Sequence, residues 1–186
     1  MLDPVEFKLG AQELARAWAE VCPGGPLWEW VPQMTAFASS KGGGYLQLAR
    51  VPVRGEGGSV AFFTYHILYS PSYRVPVLHF TAHDSAGATI HGLDILPHLP
   101  GPADGDASPL DSVLSQEDHP FLDEPFFQVH PCASQDTLAL MLRGARGIPQ
   151  GTSQLLRYMI AWLSVAAQPV GLAVPLSLHL QTQPGP

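Results

Sequence analysis

Three apolar runs joined by very short connections constrain this chain more than anything else in it. Tyr45 to Arg54, Ser59 to Ser70 and Tyr73 to His83 are rich in Val, Leu, Tyr and Phe, which suit a pleated, half-buried surface. Between them stand only Gly55-Glu56-Gly57-Gly58 and Ser70-Pro71-Ser72, sequences that fit hairpin turns. The three runs are therefore predicted to form an antiparallel β-meander. Trp28 to Val31 is a short aromatic strand-like piece before it, and Ala88 to Leu93 is expected to add a fourth, shorter strand after it.

Helical patterns flank the meander. Asp3-Pro4-Val5-Glu6 is a helix start, with Asp3 as cap, Pro4 at the first helical position and Glu6 placed to reach back. Phe7, Ala11, Leu14, Trp18 and Val21 then recur at steps of four and three, one apolar face that should dock on a sheet. Gly24-Gly25-Pro26 ends it, and Cys22, at the end of that face, reads as a small buried hydrophobe. Ala36 to Gly44 is expected to be loop. Asp111 to Glu117 could form a helical turn. Ser134 is expected to cap a helix to about Arg143, and Ser153 another with Leu155, Leu156, Met159, Ile160 and Leu163 inward. Helix, meander, loop and helices in that order make an α+β domain.

At 186 residues the chain fits one domain, and 46% hydrophobic against 13% charged residues can fill a sizeable core. Pro97 to Ser112, dense in Pro, Gly and Asp, is expected to be a mobile loop, and Gln181 to Pro186 a frayed tail. No run of 18 apolar residues occurs and the N-terminus lacks a basic-then-apolar leader, so membrane insertion and targeting are not expected. Two cysteines make no disulfide framework, which suits a reducing, intracellular setting. A formal net charge of −7 argues against a general nucleic-acid binder, which must neutralise phosphates.

The chemistry concentrates between Gln116 and Cys132, in Gln-Glu-Asp-His-Pro-Phe-Leu-Asp-Glu-Pro-Phe-Phe-Gln-Val-His-Pro-Cys. Cys132 lies just before the predicted cap Ser134, where helix amides favour an anion and hence the attacking thiolate. That effect is typically about 0.3–1 kcal/mol, under about one pKa unit. From an ordinary thiol it leaves between several and some tens of per cent thiolate at neutral pH, which suffices for so strong a nucleophile. Cys132 can equally be a small packed residue.

His119-Pro120-Phe121-Leu122 and Pro125-Phe126-Phe127-Gln128-Val129-His130-Pro131-Cys132 resemble the active-site segment of the autophagy-related E2-like enzymes. The likeness extends to Tyr65 through Leu78, to Trp28-Glu29-Trp30-Val31-Pro32, and to Trp162-Leu163-Ser164-Val165 with Pro169-Val170-Gly171-Leu172. Together these blocks are similar to the family of autophagy-related protein ten. The acidic insertion of the autophagy-related protein three family is not seen.

The resemblance implies a ubiquitin-conjugating-enzyme-like fold. It implies a thioester on Cys132 with a modifier of the autophagy-related protein twelve type, received from an activating enzyme of the protein seven type. Transfer would then go to a lysine of an acceptor of the protein five type, in the cytoplasm and without a cofactor. By resemblance His130 and Tyr73, with Tyr69 as the alternative tyrosine, are the candidate residues for the transfer step, and Ser70, Ser72 and Tyr73 would meet the acceptor. There are departures: Ala133 replaces an often basic residue, and Phe121 stands where ordinary ubiquitin-conjugating enzymes carry the asparagine of His-Pro-Asn.

Other chemistries fit less well. Zinc at His119, His130 and Cys132 lacks the two paired ligand clusters of structural sites. A cysteine hydrolase needs a base within reach, and His130 is set off from Cys132 by a rigid Pro131. Thioester exchange asks for less, since one thiolate replaces another. A catalytically weak E2-like binding module or scaffold is the alternative reading.

Overall fold

The computed structural model describes residues 1–100, 113–130 and 153–180. Helix α1 runs Pro4–Val21. The Asp3 carboxylate accepts from the amides of Val5 and Glu6, both at 2.8 Å, and the Glu6 carboxylate accepts from the Asp3 amide at 2.8 Å. This closes the capping box read from the sequence. Phe7, Gly10, Ala11, Leu14, Ala17 and Trp18 are buried, and Cys22 caps the C-terminal end while packing partly against the core.

Strands β1 (Trp28–Pro32), β2 (Gly44–Arg54), β3 (Val60–Ser70), β4 (Val75–His83), β5 (Leu114–Asp118) and β6 (Pro125–Val129) form one sheet in the order β1-β2-β3-β4-β6-β5, every pair antiparallel. The meander is thus present, with β3 and β4 paired in unbroken register from Phe62↔His83 to Ser70↔Val75. Between Leu48 and Val51 the β2–β3 register shifts in a bulge that holds Arg50 at φ 55°.

One face of the sheet meets the helices. Leu46, Leu48, Phe63, Tyr65, Ile67, Leu78 and Phe80 pack with Phe7 and Leu14 of α1 and with Met159, Trp162 and Leu163 of α3 (Gln154–Ala166), all at most 2% exposed. At roughly 1.5–3 kcal/mol for each large side chain buried, this layer dominates the stability of the fold. The two helices cross closely at Gly10, where a Cβ would lie 3.0 Å from Met159 Cγ and 3.3 Å from Leu155 Cβ. Ser153 caps α3 by accepting from the Leu155 amide at 3.1 Å, as its sequence predicts. The short helix α4 (Leu176–Leu180) follows. An α+β domain of E2-like architecture is the result.

Three expectations are corrected. Ala88 to Leu93 makes no strand: it contributes one bridge, His83↔Thr89, and leads into a 3-10 helix, Gly92–His98, that buries Ile95. Ala36 to Gly44 is not all loop, because Thr35 accepts from the Ala38 amide at 3.1 Å and caps the short helix α2 (Ala36–Ser40). Asp111 to Glu117 is not a helical turn from Leu114 on. Leu114 to Asp118 is strand β5, recruited by pairing with β6 across Leu114↔Val129 to Asp118↔Pro125. In each case a contact distant in sequence, or a single capping oxygen, outweighs local composition.

Leu99 is buried at the end of the 3-10 helix, so the described start of the Pro97–Ser112 stretch belongs to the core. The rest of that stretch, the expected helix from Ser134 and the tail from Gln181 lie outside the described residues. Among the described residues no helix is long and apolar enough to cross a membrane.

Candidate active site

The β3–β4 turn is fixed by its own backbone and by the N-terminus. The Arg74 amide donates to the Ser70 carbonyl at 2.8 Å, with Arg74 at φ 54°. The Leu2 amide donates to the Arg74 carbonyl at 2.9 Å, and the Tyr69 hydroxyl donates to the Leu2 carbonyl at 2.8 Å. The α1 leader is thereby tied to the turn, and Pro71, Ser72, Tyr73 and Arg74 are left exposed. Because β3 and β4 are interior strands, a partner approaching Ser70, Ser72 and Tyr73 meets this turn and not an unpaired strand edge.

Strand β6 runs beside β4 through Leu78↔Val129, His79↔Gln128 and Phe80↔Phe127, which brings its C-terminal end toward the same turn. His130, the next residue, donates its amide to the Val113 carbonyl at 2.7 Å. Its imidazole and the 44% exposed Tyr73 ring stand edge to face, centroids 6.0 Å apart at 74°. Tyr73 and His130, the two transfer-step candidates that the resemblance implies, are thus brought together, while the alternative Tyr69 is buried and bonded to Leu2. Cys132, two residues further along the chain, lies outside the described residues together with Pro131.

On the face of the sheet away from α1 and α3 lies a second cluster that residue types alone do not reveal. Tyr45, Leu68 and Val77 are buried there, with Val31 and Phe121 packed on them. His66, His79 and His119 are 3, 4 and 0% exposed. Burial away from water holds all three neutral: His66 and His79 are pushed down to about 3 and His119 to about 4. What brings them together is register, since the turn centred on Ser72-Tyr73 places His66 opposite His79. Among the described residues no group of three or more His, Cys, Asp or Glu is arranged to hold a metal ion.

Residues 6–177 match the family described as autophagocytosis associated protein, active-site domain. The chain is 28% identical over 211 residues to "Ubiquitin-like-conjugating enzyme ATG10" of Arabidopsis thaliana, covering 92% of each sequence. It is 34% identical over 124 residues to the protein of the same name from Homo sapiens, covering 62% of this chain and 51% of that protein. The Dictyostelium discoideum protein of that name is 28% identical over 127 residues, covering 64% of this chain and 54% of its own length. The aligned region thus takes in nearly all of the plant relative and about half of the other two.

Proposed function

This chain belongs to the autophagocytosis-associated active-site family, as an E2-like ubiquitin-like-conjugating enzyme, and we propose that Cys132 is the residue on which it carries its modifier. In the first step the Cys132 thiolate attacks the modifier's thioester carbonyl on the activating enzyme. A C–S bond forms to Cys132, and the activating enzyme's thiolate leaves. ATP is spent upstream by that enzyme, and this chain contributes no cofactor.

In the second step a lysine amine of the acceptor attacks the Cys132 thioester. The carbonyl passes through an oxyanion, the C–S bond breaks, Cys132 leaves as thiolate and the amine gives up a proton as the isopeptide forms. Modifier, activating enzyme and acceptor are of the autophagy-related protein twelve, seven and five types respectively, and the reaction runs in the cytoplasm in support of autophagosome formation.

The observation that carries this reading is the meeting of Tyr73 and His130 at the end of the strand that leads into Cys132. Two polar side chains beside an approaching thioester can supply what discharge needs, a donor for the oxyanion or an acceptor for the amine proton. The test is incubation with activating enzyme, ATP and modifier. A reductant-sensitive adduct on a non-reducing gel is expected, followed by its loss to an acceptor lysine. No adduct with active partners would overturn the reading.

A further inference from the structure

The histidine cluster has an internal order that its hydrogens dictate. A backbone amide can only donate, and the Phe121 amide points at His119 Nδ1 at 3.3 Å, so the His119 proton sits on Nε2. That Nε2 lies 3.0 Å from His66 Nδ1, which must accept, and the His66 proton is left on its own Nε2. The His66 ring is held between Tyr45 and Phe126, with centroids at 4.6 and 5.0 Å. His79, opposite His66 in register, is the cross-strand partner of Gln128 on β6.

Phe126 and Gln128 both belong to β6, which among the described residues pairs with β4 at three positions, Phe127 to Val129. The cluster therefore adds a side-chain lock to a short ladder. This matters for the chemistry because Tyr73 rides on the β3–β4 turn while His130 ends β6. A slip of β6 by one residue would turn His130 to the opposite face of the sheet and separate the pair.

We propose that His66 is a positioning residue for discharge. By accepting the His119 N–H it fastens the His119–Phe121 turn and β6 to the central hairpin, and so holds His130 against Tyr73. This rests on the function proposed above.

The variants are chosen by atom. Asn at 66 presents an oxygen where His66 has Nδ1, whereas Leu fills similar space and leaves the buried His119 N–H without an acceptor. With full-length enzyme preloaded with modifier, His66→Leu is expected to discharge to the acceptor roughly 10- to 100-fold more slowly through kcat, at unchanged acceptor KM. Its loading should stay within about twofold, because thiolate exchange does not need the pair, and His66→Asn should recover discharge to within about threefold of native. Discharge of folded His66→Leu at the native rate, or an Asn variant as slow as Leu, overturns the proposal.

Nitrogen-15 imidazole spectra of the native enzyme at neutral pH supply a test that needs no variant to fold. They should show His66 and His119 both protonated on Nε2, and an Nδ1 proton on His119 would also overturn it. Failure of native enzyme to form the Cys132 thioester would instead remove the function proposed above, so the two failures are distinguishable.

Discussion

Tyr73 and His130, 57 residues apart in the chain, meet edge to face with ring centroids 6.0 Å apart at 74°. One is carried by an exposed turn, the other by the end of a strand, and the residue two beyond His130 is Cys132. On the function proposed above, loading needs only the thiol, whereas discharge is expected to need these side chains as well. Tyr73→Phe and His130→Ala should accept modifier at nearly the native rate yet pass it to lysine about 10²–10³-fold more slowly, the usual cost of one lost oxyanion donor. Single-turnover discharge of preloaded enzyme, with circular dichroism as a folding check, measures this. Slow loading with native discharge would return both residues to a packing role.

The N-terminal tie to the turn is open to a stability measurement. Tyr69→Phe removes the hydroxyl that donates to the Leu2 carbonyl and leaves that buried acceptor unmatched, a loss of about 1–3 kcal/mol in chemical denaturation. Since Leu2 also holds Arg74, the Tyr73 turn should gain amide exchange. An unchanged denaturation midpoint would show that the tie contributes nothing to stability.

Acid should expose the histidine cluster. His66, His79 and His119 sit well below the ordinary histidine value in the folded protein, at about 3, 3 and 4: desolvation lowers all three, repulsion from His119 adds to it at His66 and His79, and the Lys41 charge adds a little more at His79. A depressed folded value means that the unfolded chain takes up the proton first. Their contribution to stability is fully present well above about pH 6.5 and is lost as pH falls through that value toward 4 for His119 and toward 3 for His66 and His79. By pH 5.5 the loss is on the order of 1 kcal/mol per histidine, so urea midpoints at pH 7.5 and 5.5 should differ clearly. His66→Asn should lessen that difference by one proton's worth. Equal midpoints for the native chain would mean that the three imidazoles are not buried neutral.

The exposed turn should decide acceptor affinity without touching loading. Charge placed at Ser72, as in Ser72→Glu, is expected to weaken acceptor binding several-fold while thioester formation is unaltered, read by titration with acceptor and by the loading assay. Native affinity in that variant would move the acceptor surface elsewhere.

What the sequence disclosed follows from how local each signal is. The capping box at Asp3, the apolar faces of α1 and α3 and the meander rest on neighbouring residues and spacing, and all are present. Strands β5 and β6 are not legible locally, because Asp111 to Glu117 reads as a helical turn and the stretch after it, punctuated by Pro120, Pro125 and Pro131, reads as loop. Tyr73 and His130 were found through the active-site resemblance, but their contact depends on β6 lying beside β4, which no periodicity states. His66 and His79 read as ordinary strand residues. Only the register of the turn, combined with His119 folding back over the sheet, makes them a cluster.

The most direct test of the central claim maps the modifier to its attachment atom. Enzyme is loaded with activating enzyme, ATP and modifier, and the adduct is digested and located by mass spectrometry. Attachment at Cys132 alone, cleaved by thiol reductant, is expected. Cys132→Ala should carry no adduct, Cys132→Ser should hold a reductant-resistant oxyester, and Cys22→Ala should load like the native chain. A thioester mapped to Cys22, or one that persists in Cys132→Ala, would contradict it.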